Sequence, residues 1–288
     1  MRPEVIALLS AMGWAGDAIL VRMGARTSNI YAAAFLSYSV SALFLWCYLL
    51  LFYPLRLLWS PATIYFLLSG CLQPLLARIL FYIGITRLGV SRAGPLRGTS
   101  PFFALVLAML FLHERPTLPV YGGTVLIVAS VWLISWRSSG SGESEWKLFD
   151  IIFPLGAAFV GAVSQNLRKG GLLILPDPYI GAAIATTTSL TIFAISLLVM
   201  GRIRLIQPRR ESFPFFGSAA LVAATAQILN FMALTKGEVS AMAPLLDSTP
   251  LFTVLFSAIF LRDLEKVTAR IVLGVLLMLT GAIIITSR

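Results

Sequence analysis

Ten stretches of predominantly apolar sequence, each 18–24 residues long, constrain this chain more than any other feature. They run roughly over 4–23, 31–53, 62–85, 92–112, 119–136, 150–168, 178–200, 213–235, 240–261 and 269–286. A helix rises about 1.5 Å per residue, so each is long enough to cross a hydrocarbon core of about 30 Å. The expected fold is an all-α integral membrane protein with ten transmembrane helices. Pro54, Pro61, Pro116, Pro119, Pro176 and Pro178 punctuate the gaps, lying in them or at the first residue of the next span, where helix breakers belong.

Composition agrees. Of 288 residues, 58% are hydrophobic and 12% charged, against about 45–50% and about 25% in an ordinary globular domain. So little charge cannot cover a soluble surface, which excludes a soluble enzyme, a disordered tail and a collagen-like chain. The net charge of +10 is read as basic loops at lipid headgroups, with membrane lipids and not nucleic acid as the partner. Cys47 and Cys71 both lie inside apolar runs, so neither a disulfide framework nor a metal site is expected. The N-terminal run is too long for a signal-peptide core and reads as a retained first helix.

The chain repeats itself. Residues 86–114 align without gaps on 235–263 at an offset of 149, with nine identities in 29 positions. The shared core is Pro95-Leu-Arg-Gly-Thr-Ser-Pro101 in span four and Pro244-Leu-Leu-Asp-Ser-Thr-Pro250 in span nine. Each proline removes a helical hydrogen bond, and in lipid the stranded carbonyl needs another donor. The Ser/Thr pair lies within reach. Pro95, Pro101, Pro244 and Pro250 are therefore expected to kink their helices. The Gly/Ser-rich segment 137–149 divides the chain into repeats at 1–136 and 150–288. Five spans per repeat, an odd number, inverts the second relative to the first. Inverted repeats are a transporter architecture with the substrate site near the midplane.

The chain resembles the drug/metabolite transporter superfamily, in its EamA-type ten-helix branch. The residues that carry this are Gly13-Trp14-Ala15-Gly16 in span one, the Pro101…Glu114 and Pro250…Asp263 ends of spans four and nine, and Gly123 and Gly274 in spans five and ten. Asp263 stands where the family more often has Glu. The resemblance implies a secondary transporter, many members being exporters of amino acids or other metabolites, in the plasma (inner) membrane with cytoplasmic termini.

Ionisable residues inside spans are costly and by default mark function. Asp17, Arg78, Arg97 and Asp247 are the candidates. Chain direction puts Asp17, Arg78 and Arg97 in one half of the bilayer. Asp247 lies in the other, with Gln165, Asn166, Gln227 and Asn230 as polar neighbours. With Trp14 these nine residues are expected around a central substrate cavity. Arg78 and Arg97 would hold an anionic group, Asp17 would orient them, and Asp247 would titrate with a coupling proton. A second reading stands beside each: Arg97 snorkels to the headgroups, Arg78 is a static partner of Asp17, and the amides only join helices.

No catalytic motif is legible. His113-Glu114-Arg115-Pro116-Thr117 lacks the second histidine of H-E-x-x-H, and no phosphate loop or nucleophile elbow is present. No cofactor is expected. A membrane-embedded lipid-modifying enzyme is the alternative of a different class; hydrophobic drugs or lipid-linked sugars are the alternative cargo. Orientation is contested. With span-end charges assigned to adjacent gaps, which places Arg168 and Lys169 between spans six and seven, the odd gaps carry 13 Lys/Arg and the termini and even gaps 7. The positive-inside rule then puts the termini outside, against the family resemblance, which prevails here.

Overall fold

The computed structural model describes residues 1–25, 27–88, 90–135, 147–207, 210–260 and 269–287. The described residues form α-helices joined by short turns and 3₁₀ segments. These are α1 (Pro3–Gly24), α2 (Ile30–Phe52), α3 (Ala62–Cys71), α4 (Ala77–Leu88), α5 (Val90–Arg97), α6 (Ser100–Phe111), α7 (Leu118–Ser135), α8 (Ile152–Ile174), α9 (Pro178–Val199), α10 (Phe213–Lys236), α11 (Val239–Leu246), α12 (Thr249–Phe260) and α13 (Ala269–Thr286). Among the described residues six segments are long and apolar enough to cross a membrane, and four shorter helices are apolar too. Asp263 and residues 137–146 of the linker lie outside the described residues.

Local chemistry sets the helix ends. Asn29 accepts from Ala32 N at 2.8 Å and starts α2. Asp177 accepts from the backbone N–H groups of Tyr179 (2.9 Å) and Ile180 (3.0 Å), with Pro178 at the first helical position, and starts α9. Gly201, at φ 64°, ends α9: its N–H reaches Leu198 O at 3.0 Å while Arg202 N reaches Leu197 O at 2.8 Å, a glycine C-cap.

Three spans differ from the continuous helices that hydropathy predicts. Spans four and nine are each cut in two between their paired prolines, at Gly98–Thr99 and at Asp247–Ser248. Span three is also cut, between α3 and α4, where Gln73 takes extended angles (φ −130°, ψ 128°) ahead of Pro74. The residue before a proline disfavours helical angles, which accounts for the break. In span six the helix runs on to Ile174, not to 168, so Arg168 and Lys169 lie within it.

Contacts divide the chain into two compact units, one of Met1–Cys71 with Leu167–Lys236, the other of Leu72–Asn166 with Gly237–Arg288. Each takes chain from both halves of the sequence. The first unit is seamed by small and hydroxyl residues. A Cβ on Gly13 would lie 2.8 Å from Ala226 Cβ, and Ser10 Oγ donates to Ala226 O at 2.8 Å, joining α1 to α10. Ser41 Oγ donates to Ala220 O (2.8 Å) from α2, and Trp46 Nε1 to Thr187 Oγ1 (2.7 Å). Lipid tails give no hydrophobic drive between helices, so close backbone approach and interhelical hydrogen bonds hold them. The second unit uses the same device where α7 meets α13: a Cβ on Gly123 would lie 2.7 Å from Gly281 O. At one end of α4, Arg87 Nη1 pairs with Asp150 Oδ1 at 2.9 Å, and Arg87 Cζ lies 4.7 Å from the Phe153 ring centroid.

Candidate functional site

The two helix breaks are built alike. In the first, Gly98 N donates to Gly94 O (2.9 Å) and Thr99 N to Leu96 O (3.3 Å). In the second, Asp247 N donates to Ala243 O (2.9 Å) and Ser248 N to Leu245 O (3.3 Å). The hydroxyls match too: Thr99 Oγ1 donates to Leu96 O at 2.7 Å and Ser248 Oγ to Leu245 O at 2.5 Å. The next hydroxyl separates them. Pro250 has no N–H to give Leu246 O, and Thr249 Oγ1 supplies one at 3.3 Å. Ser100, its counterpart, is 1% exposed, yet among the described residues its Oγ has no hydrogen-bond partner.

Polar side chains collect around these breaks within the second unit. Arg97 ends α5 and is half-buried. Its Nη2 would be 2.9 Å from a Cβ on Gly161 of α8, and Ser100 Oγ 3.4 Å from the same point; the missing side chain makes room for both. One turn along α8, Gln165 Nε2 donates to Asp247 Oδ1 at 3.5 Å. Asp247 is close enough to Arg97 to interact electrostatically with it. Asn166 Nδ2 donates to Ala104 O (3.2 Å) and Ala162 O (3.0 Å). Both its N–H bonds are thus used, which fixes the amide's orientation. Among the described residues Gln165 Oε1 and Asn166 Oδ1, like Ser100 Oγ, accept no hydrogen bond, although Gln165 and Asn166 are buried. Buried polar atoms are usually satisfied; three orphaned acceptors beside a carboxylate and a guanidinium suit a ligand that brings hydrogen-bond donors.

Glu114 secures one wall of this cluster. Its carboxylate accepts from Val239 N at 2.7 Å and Ser240 N at 2.9 Å, capping the N-terminus of α11. The chain reaches that position through His113, whose φ of 55° lies in the left-handed region, and through Glu114 N, which donates to Ala108 O at 3.2 Å.

Of the nine residues expected at the site, the second unit brings together Arg97, Gln165, Asn166 and Asp247. Arg78 belongs to the same unit, on α4, with its side chain exposed. Trp14, Asp17, Gln227 and Asn230 belong to the first unit; Trp14 and Asp17 are half-buried on α1, Gln227 and Asn230 buried on α10. Of the four prolines expected to kink helices, Pro95 and Pro244 lie in α5 and α11, and Pro101 and Pro250 in the first turns of α6 and α12. Arg168 was not singled out by the sequence. It is 5% exposed and donates through Nη1 to Asn230 Oδ1 at 3.1 Å. The signal was present: Gly170-Gly-Leu-Leu-Ile-Leu175 continues the apolar run to Pro176.

Comparison with known proteins fits these features. The EamA-like transporter family matches residues 1–136 and again 151–287. A protein of Archaeoglobus fulgidus named "Uncharacterized transporter" is 24% identical over 289 residues, covering 98% of this chain and 96% of the relative. A protein of known crystal structure superposes with a TM-score of 0.81 at 12% identity, over 100% of this chain and 98% of its own, a likeness of fold alone. Two matches of one family model, a helical membrane architecture of two five-helix repeats and a transporter along nearly its whole length lead to one conclusion: the chain belongs to the EamA-like transporter family, as a multi-pass membrane transporter of small solutes.

Proposed function

We propose that the protein is a secondary exporter of amino acids or related small organic solutes, working by alternating access in the plasma (inner) membrane, coupled to protons and without chemical conversion of its cargo. The observation that carries this reading is the neighbourhood of Arg97 and Asp247 at the two helix breaks. A guanidinium fork suits a carboxylate. A carboxylate bonded by Gln165, whose own amide oxygen accepts no hydrogen bond among the described residues, suits an ammonium group or a proton. The broken helices, bounded by Pro95, Pro101, Pro244 and Pro250, absorb the motion of the cycle. Arg78, Trp14, Asp17, Gln227 and Asn230 complete the proposal as further polar positions used by the cargo.

Flux measurements on purified protein in vesicles test this directly. Arg97→Gln weakens anionic and zwitterionic cargo more than neutral cargo, by about 1.5–3 kcal/mol for a lost charged hydrogen bond. Asp247→Asn flattens the pH dependence of transport and leaves binding largely intact. Wild-type behaviour in both folded variants contradicts the proposed site.

A further inference from the structure

We infer that the connection between α9 and α10, residues 200–212, is a binding surface for anionic phospholipid headgroups. In sequence it carries Arg202, Arg204, Arg209 and Arg210 against one acid, Glu211, a net +3. Its place sets its depth. α9 ends at Val199 and α10 begins at Phe213, so a connection this short stays near the headgroups of the membrane its helices cross. Arg202, Arg204 and Arg210 are exposed. Among the described residues their guanidinium groups have no hydrogen-bond or ion-pair partner. Apolar side chains stand among them: Val199 is 83% exposed, Met200 61% and Ile203 46%. Cations interleaved with exposed apolar groups suit a lipid surface, which offers phosphates to the first and hydrocarbon to the second. A soluble phosphate would use the cations alone.

The backbone of this connection is held without the arginine side chains. Gly201 turns the chain with its left-handed φ of 64°, and Arg202 N donates to Leu197 O at 2.8 Å. A 3₁₀ turn over Ile203–Leu205 follows, closed by Ile206 N on Ile203 O at 3.0 Å. Ser28 Oγ then donates to Gln207 O at 3.3 Å, which ties the connection to the one between α1 and α2. The end of α1 packs there too: a Cβ on Gly24 would lie 3.1 Å from Phe215 Cβ, in the first turn of α10. The guanidinium groups therefore take no part in folding the segment that carries them. Presenting them from an ordered backbone lowers the ordering cost of binding. Their planar forks match the oxygens of a phosphodiester.

The test is thermal unfolding of the purified full-length protein in neutral detergent, titrated with dioctanoyl phosphatidylglycerol. Dioctanoyl phosphatidylcholine is the zwitterionic control, and glycerol 3-phosphate supplies a phosphate without chains, all at equal ionic strength. Phosphatidylglycerol should raise the Tm of the wild type saturably while the other two do not. Arg202→Gln, Arg204→Gln and Arg210→Gln together should weaken it about 100-fold, at about 5-fold per arginine. The same three positions changed to Lys keep the charge and should lose far less. Ile203→Ser keeps every charge and should still weaken the lipid. Arg2, Arg56 and Arg115 are exposed elsewhere on the chain; changing these three to Gln removes as much charge and should leave the affinity nearly unchanged. If the triple variant does not fold, Arg204→Gln and Ile203→Ser carry the test. The proposal is overturned if phosphatidylglycerol shifts the wild type no more than phosphatidylcholine does. It is overturned equally if glycerol 3-phosphate shifts it as much, which would mark a site for a soluble anion. A control triple that loses as much as the first would reduce the effect to net charge and overturn it too. Absence of flux for every solute would contradict the proposed transport and leave this lipid site standing.

Discussion

Thr99 and Ser248, 149 residues apart, make the same bond: each hydroxyl donates to the carbonyl of the leucine three residues before it, at 2.7 Å and 2.5 Å. Both sit where a membrane helix is interrupted between two prolines, and both supply a donor at that interruption. Thr99→Val and Ser248→Ala should each lower stability in detergent by about 0.5–1.5 kcal/mol, whereas Thr99→Ser should not. Chemical unfolding of the three variants decides. A Thr99→Val protein as stable as the wild type would show that water or a neighbour covers the carbonyl equally well.

Glu114 should matter through α11. Glu114→Gln keeps the shape but removes the charge that faces two N–H groups and the helix dipole, for a loss of about 0.5–2 kcal/mol. His113 holds left-handed angles at φ 55°, so His113→Gly should hold or raise stability, by up to about 1 kcal/mol, and His113→Val should lower it. Melting temperatures of the three test the arrangement. Equal values for Gly and Val at 113 would contradict it.

Two adjacent glycines should behave oppositely. A Cβ on Gly122 meets nothing within 4 Å, while one on Gly123 meets Gly281 O at 2.7 Å. Gly122→Leu should therefore leave the folded yield unchanged, and Gly123→Leu should force α7 and α13 apart, at about 1–3 kcal/mol for overpacking. Size-exclusion profiles after mild heating separate the two; matching profiles refute the packing.

Single cysteines decide orientation. With cytoplasmic termini, a cysteine at Gln207 in a Cys47→Ser, Cys71→Ser background reacts with a membrane-impermeant maleimide on intact cells. Protection there, with labelling after permeabilisation, would reverse the orientation in favour of the Lys/Arg distribution.

Much of this was legible in the sequence because hydrophobic length and repeated prolines are local signals. The breaks of spans four and nine lie within the seven-residue P-L-x-x-[ST]-[ST]-P motif, and the hydroxyls expected to relieve them include Thr99 and Ser248. Span three was read as unbroken because a hydropathy window averages over one extended residue, Gln73, and Pro74 lay among apolar neighbours. Arg168 was assigned to a gap because a cation near the end of an apolar run resembles a snorkelling one; only tertiary packing against Asn230 and Phe231 reveals its burial. Glu114 was legible as a motif position but not as a cap, since the N–H groups it serves lie 125 and 126 residues away. The division into units was hidden for the same reason, since each unit joins distant stretches of chain.

The most direct measurement of the central claim is counterflow with the purified wild-type protein. Vesicles preloaded with a mixture of unlabelled amino acids and organic acids are diluted into trace labelled solutes, one at a time. The account predicts transient, saturable accumulation of at least one labelled solute above protein-free vesicles, with a rate that changes with pH in the wild type and does not in Asp247→Asn. Absence of accumulation for every solute, with turnover of a membrane lipid by the same preparation, would contradict it.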